Sequence, residues 1–266
     1  MCGRYVIFSD LVKIEKQFNI PLKAQTKISP SFNASPSQLL PVISDEDVGL
    51  IQNYRFGYTP NWSSDGRMTI NARVDVSTDN PENQMDYFEK GGKPGIYNAK
   101  YWRQSIRSKR CIVIADAFYE GPEKEKLSKP YLVHMRNKNR PFAMAGVWDE
   151  FETADGVKQK GFAILTVPAN ALLKKLGHHR SPVIIPNDAI KKYLQGELQE
   201  ISSMLVPFDA SKMNAYPVDP QMKNARLNNK DLLEPTGQRV VKEFEEVLVP
   251  NIRLEGMGES RKDRLK

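Results

Sequence analysis

Apolar positions along this chain recur in two rhythms, and each rhythm predicts a different kind of element. The opening run "MCGRYVIF" predicts a strand, after which Ser9 or Asp10 can cap a helix that carries Leu11, Ile14 and Phe18 on one face. The Pro- and Ser-punctuated stretch "SPSFNASPSQLLPVI" predicts an irregular loop leading into a strand. "RCIVIADAFYE" is apolar almost throughout and predicts one buried strand. "KPYLVHM" and "PFAMAGVWDEF" predict two strands joined across the polar turn "RNKN", and a second hairpin turns at Asp155-Gly156 into "KGFAILTV". "PANALLKKLG" predicts a short helix with Leu172, Leu173 and Leu176 inward and Gly177 as its stop. That places "HHR" just beyond a helix end, ahead of the apolar strand "PVII". "NDAIKKYLQG" predicts a surface helix, and the final "RLEGMGESRKDRLK" is too polar to bury anything and reads as a loose tail. Strands interspersed with a few short helices, without repeats, predict an α+β single domain around one β-rich core.

Composition narrows this picture only a little. With 266 residues, 40% hydrophobic and 27% charged, the chain can bury a substantial core. No apolar run approaches the roughly 20 residues that cross a bilayer, and no basic-then-apolar leader is visible. The expectation is a cytoplasmic protein, nucleoid-associated in a bacterium, with no membrane partner. Cys2 and Cys111 form neither a metal-ligand spacing nor a disulfide framework, so no metal and no cofactor is expected. A formal net charge of +7 permits a polyanion partner without demanding one.

Several polar residues stand beside apolar runs. Cys2 becomes the N-terminal residue if Met1 is removed, and it then offers an α-amine and a thiol on one residue. Glu120 ends the apolar run, where desolvation would raise its pKa and suit it to proton donation; a solvent-facing turn residue is the plainer alternative. His178 and His179, at a helix end, could simply complement its dipole. Asn71 and Arg73 in "INARVDV" fall in a segment that reads equally as strand or loop. No Gly-rich phosphate loop, HExxH or GxSxG appears, so metal-dependent and serine-triad hydrolysis have no support.

Taken in order, "MCGRY", "FNASP", "YRFGYTPNWS", "INARVDV", "RCIVIADAFYEG", "FAMAGVWDEF", "FAILTVPAN", "HHRSPVII" and "YPVDPQMKNARLN" resemble the SRAP proteins, the abasic-site-processing family also called SOS response-associated peptidases. The resemblance runs from Cys2 to roughly residue 230. It implies an SRAP domain over 2–235, a C-terminal extension over 236–266, and a barrel-like mixed core. It departs from the family at Phe32, Phe56, Asp75, Gly121 and Ser181, where Tyr, Trp, Glu, Trp and Met are usual, and in a longer segment between Val76 and Arg110.

The resemblance also implies a chemistry. The Cys2 amine attacks the open-chain aldehyde of an abasic site, and the thiol closes a thiazolidine that shields the lesion from strand cleavage. Asn71 would hold the sugar, Glu120 would shuttle protons, and His178 would assist ring opening. Arg4, Arg73 and Arg180 would contact phosphates, Asn33 would line the pocket, and Trp62 would stack on a base, a core tryptophan being its alternative. The implied partner is single-stranded DNA containing abasic sites, with a monomer as the expected state. An N-terminal-Cys hydrolase of the glutamine amidotransferase or peptidase kind explains Cys2 but not "HHRSPV" or "FYEG".

Overall fold

The computed structural model describes residues 3–63, 66–75, 95–136, 139–153 and 155–242. Within them the strands, in chain order, are β1 (Tyr5–Ile7), β2 (Lys23–Ala24), β3 (Ser31–Ala34), β4 (Leu39–Ser44), β5 (Asp47–Phe56), β6 (Asn71–Arg73) and β7 (Arg110–Ala115). They continue as β8 (Ala117–Glu120), β9 (Tyr131–Met135), β10 (Phe142–Glu152), β11 (Lys158–Pro168), β12 (Arg180–Pro182), β13 (Ile184–Ile185) and β14 (Met213–Pro217). β11, β10, β7, β4 and β5 pair antiparallel in that order, and β5 returns to β11 in parallel, with Arg55 opposite Gly161 and Phe56 opposite Phe162. The ring is therefore closed, which leaves its five members no free edge along that path.

Closure depends on one glycine. A Cβ on Gly161 would fall 2.1 Å from the Gly57 carbonyl oxygen, closer than any side chain tolerates, so the parallel seam forms only with glycine there. Phe56 and Phe162 stack across the seam with ring centroids 5.1 Å apart. The barrel, flanked by the helices Leu11–Phe18, Ala171–Lys175 and Ile190–Gln195, confirms an α+β fold with a barrel-like mixed core.

Beside the barrel lies a second sheet in the order β14-β9-β8-β1-β3. "RCIVIADAFYE" was expected as one strand, but it divides between the two sheets at a single residue, Asp116. The Asp116 carboxylate is buried and accepts from Phe8 N at 2.7 Å, Ser9 N at 2.8 Å and Ser9 Oγ at 2.6 Å. Those donors lie just past the end of β1, so satisfying the carboxylate turns the chain out of the barrel. "KPYLVHM" and "PFAMAGVWDEF" do form β9 and β10, but not as a hairpin. β9 is occupied on both edges by β8 and β14, while β10 lies between β7 and β11.

The second hairpin, β10–β11, forms as expected, with Gly156 at φ 79° in its turn. The helix Ile190–Gln195 is not simply a surface helix, because Ile190, Tyr193 and Leu194 are buried and Tyr193 donates to the Gly146 carbonyl at 2.8 Å. Residues 236–242 stay on the fold. Val240 N donates to Ala215 O at 2.8 Å, and the Asn214 amide bonds both backbone groups of Val241. The polar tail over 253–266 lies outside the described residues.

Candidate active site

Two chain segments bring Glu120 and His178 together. β8 ends at Glu120, which is 3% exposed. The helix Ala171–Lys175 is capped by Asn170, whose side chain accepts from Leu173 N, and it stops at Gly177, held at φ 77°. His178 N then bonds back to Leu173 O at 2.9 Å, which fixes the histidine at the helix end. Its Nδ1 lies 2.9 Å from the Gly121 carbonyl, and its Nε2 lies 3.3 Å from Glu120 Oε2.

A carbonyl can only accept, so Nδ1 carries the hydrogen and the neutral ring presents its Nε2 lone pair to Glu120. Burial pushes the Glu120 carboxyl up to about 7, opposed by the positive charge of the chain's amino terminus. Burial, aided by that same charge, pushes His178 down to about 4. The pair is therefore not a standing ion pair. Near neutral pH it is a neutral imidazole facing a carboxyl close to its midpoint, and the contact is a hydrogen bond when Glu120 holds the proton. A group poised there can give or take a proton at little cost.

The beginning of the chain runs toward this pair. β1 pairs antiparallel with β8, Tyr5 opposite Phe118, and Tyr119 N donates to Arg4 O at 3.0 Å. In that register each step toward the amino terminus is a step toward Glu120. Cys2 itself lies outside the described residues.

Asn71 opens β6, a strand rather than a loop, which pairs in parallel with β11 at Ile164. It is 7% exposed, and neither its amide nitrogen nor its amide oxygen finds a hydrogen-bond partner among the described residues. Each such group costs on the order of 1–3 kcal/mol, a penalty that a bound polar ligand removes. Ser181 Oγ and Arg180 Nε are likewise buried without a partner.

The expected DNA ligands divide into three groups. Arg180 is buried, with its two terminal nitrogens each 2.7 Å from an oxygen of Asp75 and one also donating to Thr166 O at 2.7 Å. This fork ties the end of β6 to the start of β12, bracing Asn71 and His178 on either side. A phosphate reaches that guanidinium only by competing with Asp75. Asn33 is fully buried, and its amide nitrogen is 3.0 Å from each of the Met222, Asn224 and Leu227 carbonyls; Arg4 donates to Asn33 Oδ1 at 2.9 Å and to Lys223 O at 3.0 Å. Both thereby hold the 222–227 loop. Arg73 is exposed at the end of β6, and Trp62, 51% exposed, is not a core tryptophan. His179 points to the surface, 2.9 Å from Glu123.

Sequence reasoning did not anticipate the Asp75–Arg180 fork or the Gly121 carbonyl that sets the His178 tautomer. Asp75 stands at one of the departures from the family pattern, which was the available signal; a backbone carbonyl leaves none. Among the described residues no cluster of three His, Cys, Asp or Glu side chains could hold a metal ion, and no helix is long and apolar enough to cross a membrane.

The fold is that of a β-barrel protein with an adjoining sheet, and it carries a buried carboxyl–imidazole contact and, on β6, a buried amide without a partner among the described residues. The chain belongs to the SRAP (SOS response associated peptidase) family, whose profile matches residues 1–85 and 94–225. Abasic site processing protein YoqW of Bacillus subtilis is 30% identical over 243 residues, covering 88% of this chain and 99% of YoqW. Abasic site processing protein HMCES of Xenopus tropicalis is 24% identical over 241 residues, covering 78% of this chain and 66% of HMCES. A crystal structure of a Bacteroides thetaiotaomicron protein shares the fold with a TM-score of 0.71 at 22% identity, covering 89% of this chain and all of the other.

Proposed function

We propose that this chain processes abasic sites in single-stranded DNA by forming a covalent adduct through Cys2 once Met1 has been removed. The observation that carries the reading is the buried Glu120–His178 pair, its carboxyl held near 7, at the end of the strand along which the chain's start runs. Membership of a family whose relatives are named abasic site processing proteins supports the substrate.

An α-amine, with a pKa of about 7.7–8.0, is partly unprotonated at neutral pH and attacks the aldehyde carbon. Glu120 protonates the departing hydroxyl, water leaves, and the resulting iminium returns its N–H proton to the Glu120 carboxylate to give an imine. The Cys2 thiol then adds to the imine carbon while its proton passes to nitrogen, closing a thiazolidine. One aldehyde, one amine and one thiol thus become one ring and one water. His178, neutral and fixed by Gly121, accepts a proton from the sugar hydroxyl during ring opening and returns it through Glu120. The unpartnered Asn71 amide takes the sugar oxygens, and Arg73 meets the strand's phosphates.

Intact mass after incubation with abasic single-stranded DNA tests this. The expected adduct weighs protein without Met1, plus DNA, less one water, and forms without borohydride. C2A should give no stable adduct. A heat-stable adduct from C2A at the wild-type level would overturn the proposal.

A further inference from the structure

The last described residues of the chain are fastened along β14. Thr236 N donates to Pro217 O and Val240 N to Ala215 O, each at 2.8 Å. The Asn214 side chain then takes both backbone groups of Val241, accepting from its N at 3.0 Å and donating to its O at 2.8 Å. The Lys175 ammonium adds a bond to Val240 O at 3.1 Å. Partners step back from Pro217 to Asn214 as the chain advances from Thr236 to Val241. The segment therefore runs antiparallel to β14, on the edge opposite β9, and heads for the amino-terminal end of that strand.

At that end lies a groove of about 770 Å³ whose walls include Met135 and Arg136, from the end of β9, and Phe208 and Lys212, from just before β14. Met135 is buried, Phe208 is half-buried, and the exposed Lys212 holds its ammonium 6.0 Å from the Phe208 ring centre. Arg136 donates to Ser211 O at 3.2 Å, which sets its guanidinium beside the same wall. Asp209, the acid next to the groove, turns Oδ1 onto Ser211, accepting from its N at 2.9 Å and its Oγ at 2.7 Å. Two cations thus stand beside two apolar side chains. The residues that follow Lys242 have the matching character: 243–249 read "EFEEVLV", three glutamates and four apolar residues with no cation among them. Asn214, which holds Val241, is two residues from Lys212, so their Cα atoms are at most about 7 Å apart.

We propose that this groove is the docking site of the chain's own residues 243–249, with glutamate carboxylates on Arg136 and Lys212 and the Phe244 ring beside Phe208. The occupant is this segment rather than an acidic peptide from another protein, because its tether ends within a few residues of Lys212. Such a tether gives a local concentration of roughly millimolar, against which a free peptide must compete. The extension beyond residue 225, where the family profile ends, is thereby fastened to the domain twice, at Asn214 and in the groove. Docking here involves neither Cys2 nor DNA.

Carbodiimide cross-linking of the full chain tests this, because the reagent joins an ammonium to a carboxylate in contact and inserts no spacer. Digestion and mass measurement should find Lys212 joined to Glu243, Glu245 or Glu246. The partly exposed Lys160–Glu46 ion pair supplies a reference link within the same molecule and reports that the barrel is intact in each variant. In an equal mixture of unlabelled and heavy-nitrogen protein, each linked pair should carry one label only. F244A, in the segment, and R136E, in the groove, should each lower the Lys212 link roughly 3- to 10-fold relative to the reference. A link that keeps its wild-type yield in both variants comes from a tethered but undocked segment and overturns the proposal. A reference link without any Lys212 link overturns it as well. Mixed-label pairs at the frequency of random mixing would put the segment on a second copy of the chain, and they too overturn it.

Discussion

Asp116 and Glu120 are two buried carboxylates four residues apart, one at the crossing between β7 and β8 and the other at the end of β8. They have opposite surroundings. Asp116 accepts three hydrogen bonds from Phe8 and Ser9. Glu120 faces an imidazole that offers it no proton while neutral, and burial lifts it to about 7. The same contrast recurs between two buried amides. Asn33 spends its nitrogen on three carbonyls, whereas Asn71 has no partner for either atom among the described residues. Burial alone does not make a polar group reactive. What separates the Asn33 amide from the Asn71 amide is whether the fold supplies the hydrogen bonds or leaves them for a ligand.

The largest expected effect breaks the carboxylate pair apart. E120Q keeps the shape and removes the titrating proton, so adduct formation should slow by about 10²–10⁴-fold. D116N should leave the rate per folded molecule near wild type, because no proton passes through that carboxylate. A rate loss in D116N equal to that in E120Q would erase the distinction.

Stability should move the other way. D116A strands three donors around a buried gap and should cost several kcal/mol, each unsatisfied group contributing about 1–3. Urea denaturation compares it with E120Q, which strands nothing comparable and, freed of the cost of protonating a buried carboxyl, should be no less stable than wild type at pH 6. A smaller contrast belongs to the amides: N33A should destabilise by about 1–3 kcal/mol, and N71A by less than about 1, while N71A alone loses adduct yield. Destabilisation by N71A as large as by N33A would mean that the Asn71 amide is part of the scaffold.

These contrasts explain what could be read from sequence. Strand and helix positions were legible wherever apolar spacing was regular, as in the helix Leu11–Phe18 and the β10–β11 hairpin. Which strands pair was not, because pairing is decided by distant partners. Asp116 looks like any polar interruption of an apolar run until the Phe8 and Ser9 donors are known to be near. The family pattern supplied the roles of Glu120, His178 and Asn71, and the apolar run offered a raised Glu120 pKa as one of two readings, but the neutral His178 tautomer and the unsatisfied Asn71 amide were not legible. The Gly121 carbonyl that sets the tautomer and the Asp75 fork on Arg180 appear only in three dimensions.

The last effect is one that vanishes in wild type. In the unfolded chain between pH 4.5 and 6.5, the two groups hold one proton, on the histidine, with ordinary values of 4.5 for Glu120 and 6.5 for His178. In the folded protein, with Glu120 at about 7 and His178 at about 4, they again hold one proton, now on the carboxyl. Folding moves the proton without gaining or losing it, so the pair adds no slope to stability across that window. Each shift is caused chiefly by burial rather than by the partner, so each should survive the partner's removal. In E120Q only the lowered histidine remains; the unfolded state binds the extra proton, and stability should rise as pH goes from about 4 to 6.5. In H178Q only the raised carboxyl remains; the folded state binds the extra proton, and stability should fall as pH goes from about 4.5 to 7. The two slopes should have opposite signs and reach at most about 1.4 kcal/mol per pH unit. Urea denaturation of both variants at half-unit steps measures the difference between them, in which every other titrating group cancels. Parallel curves would mean that the proton does not change hands on folding, and that Glu120 is one more scaffold carboxylate like Asp116.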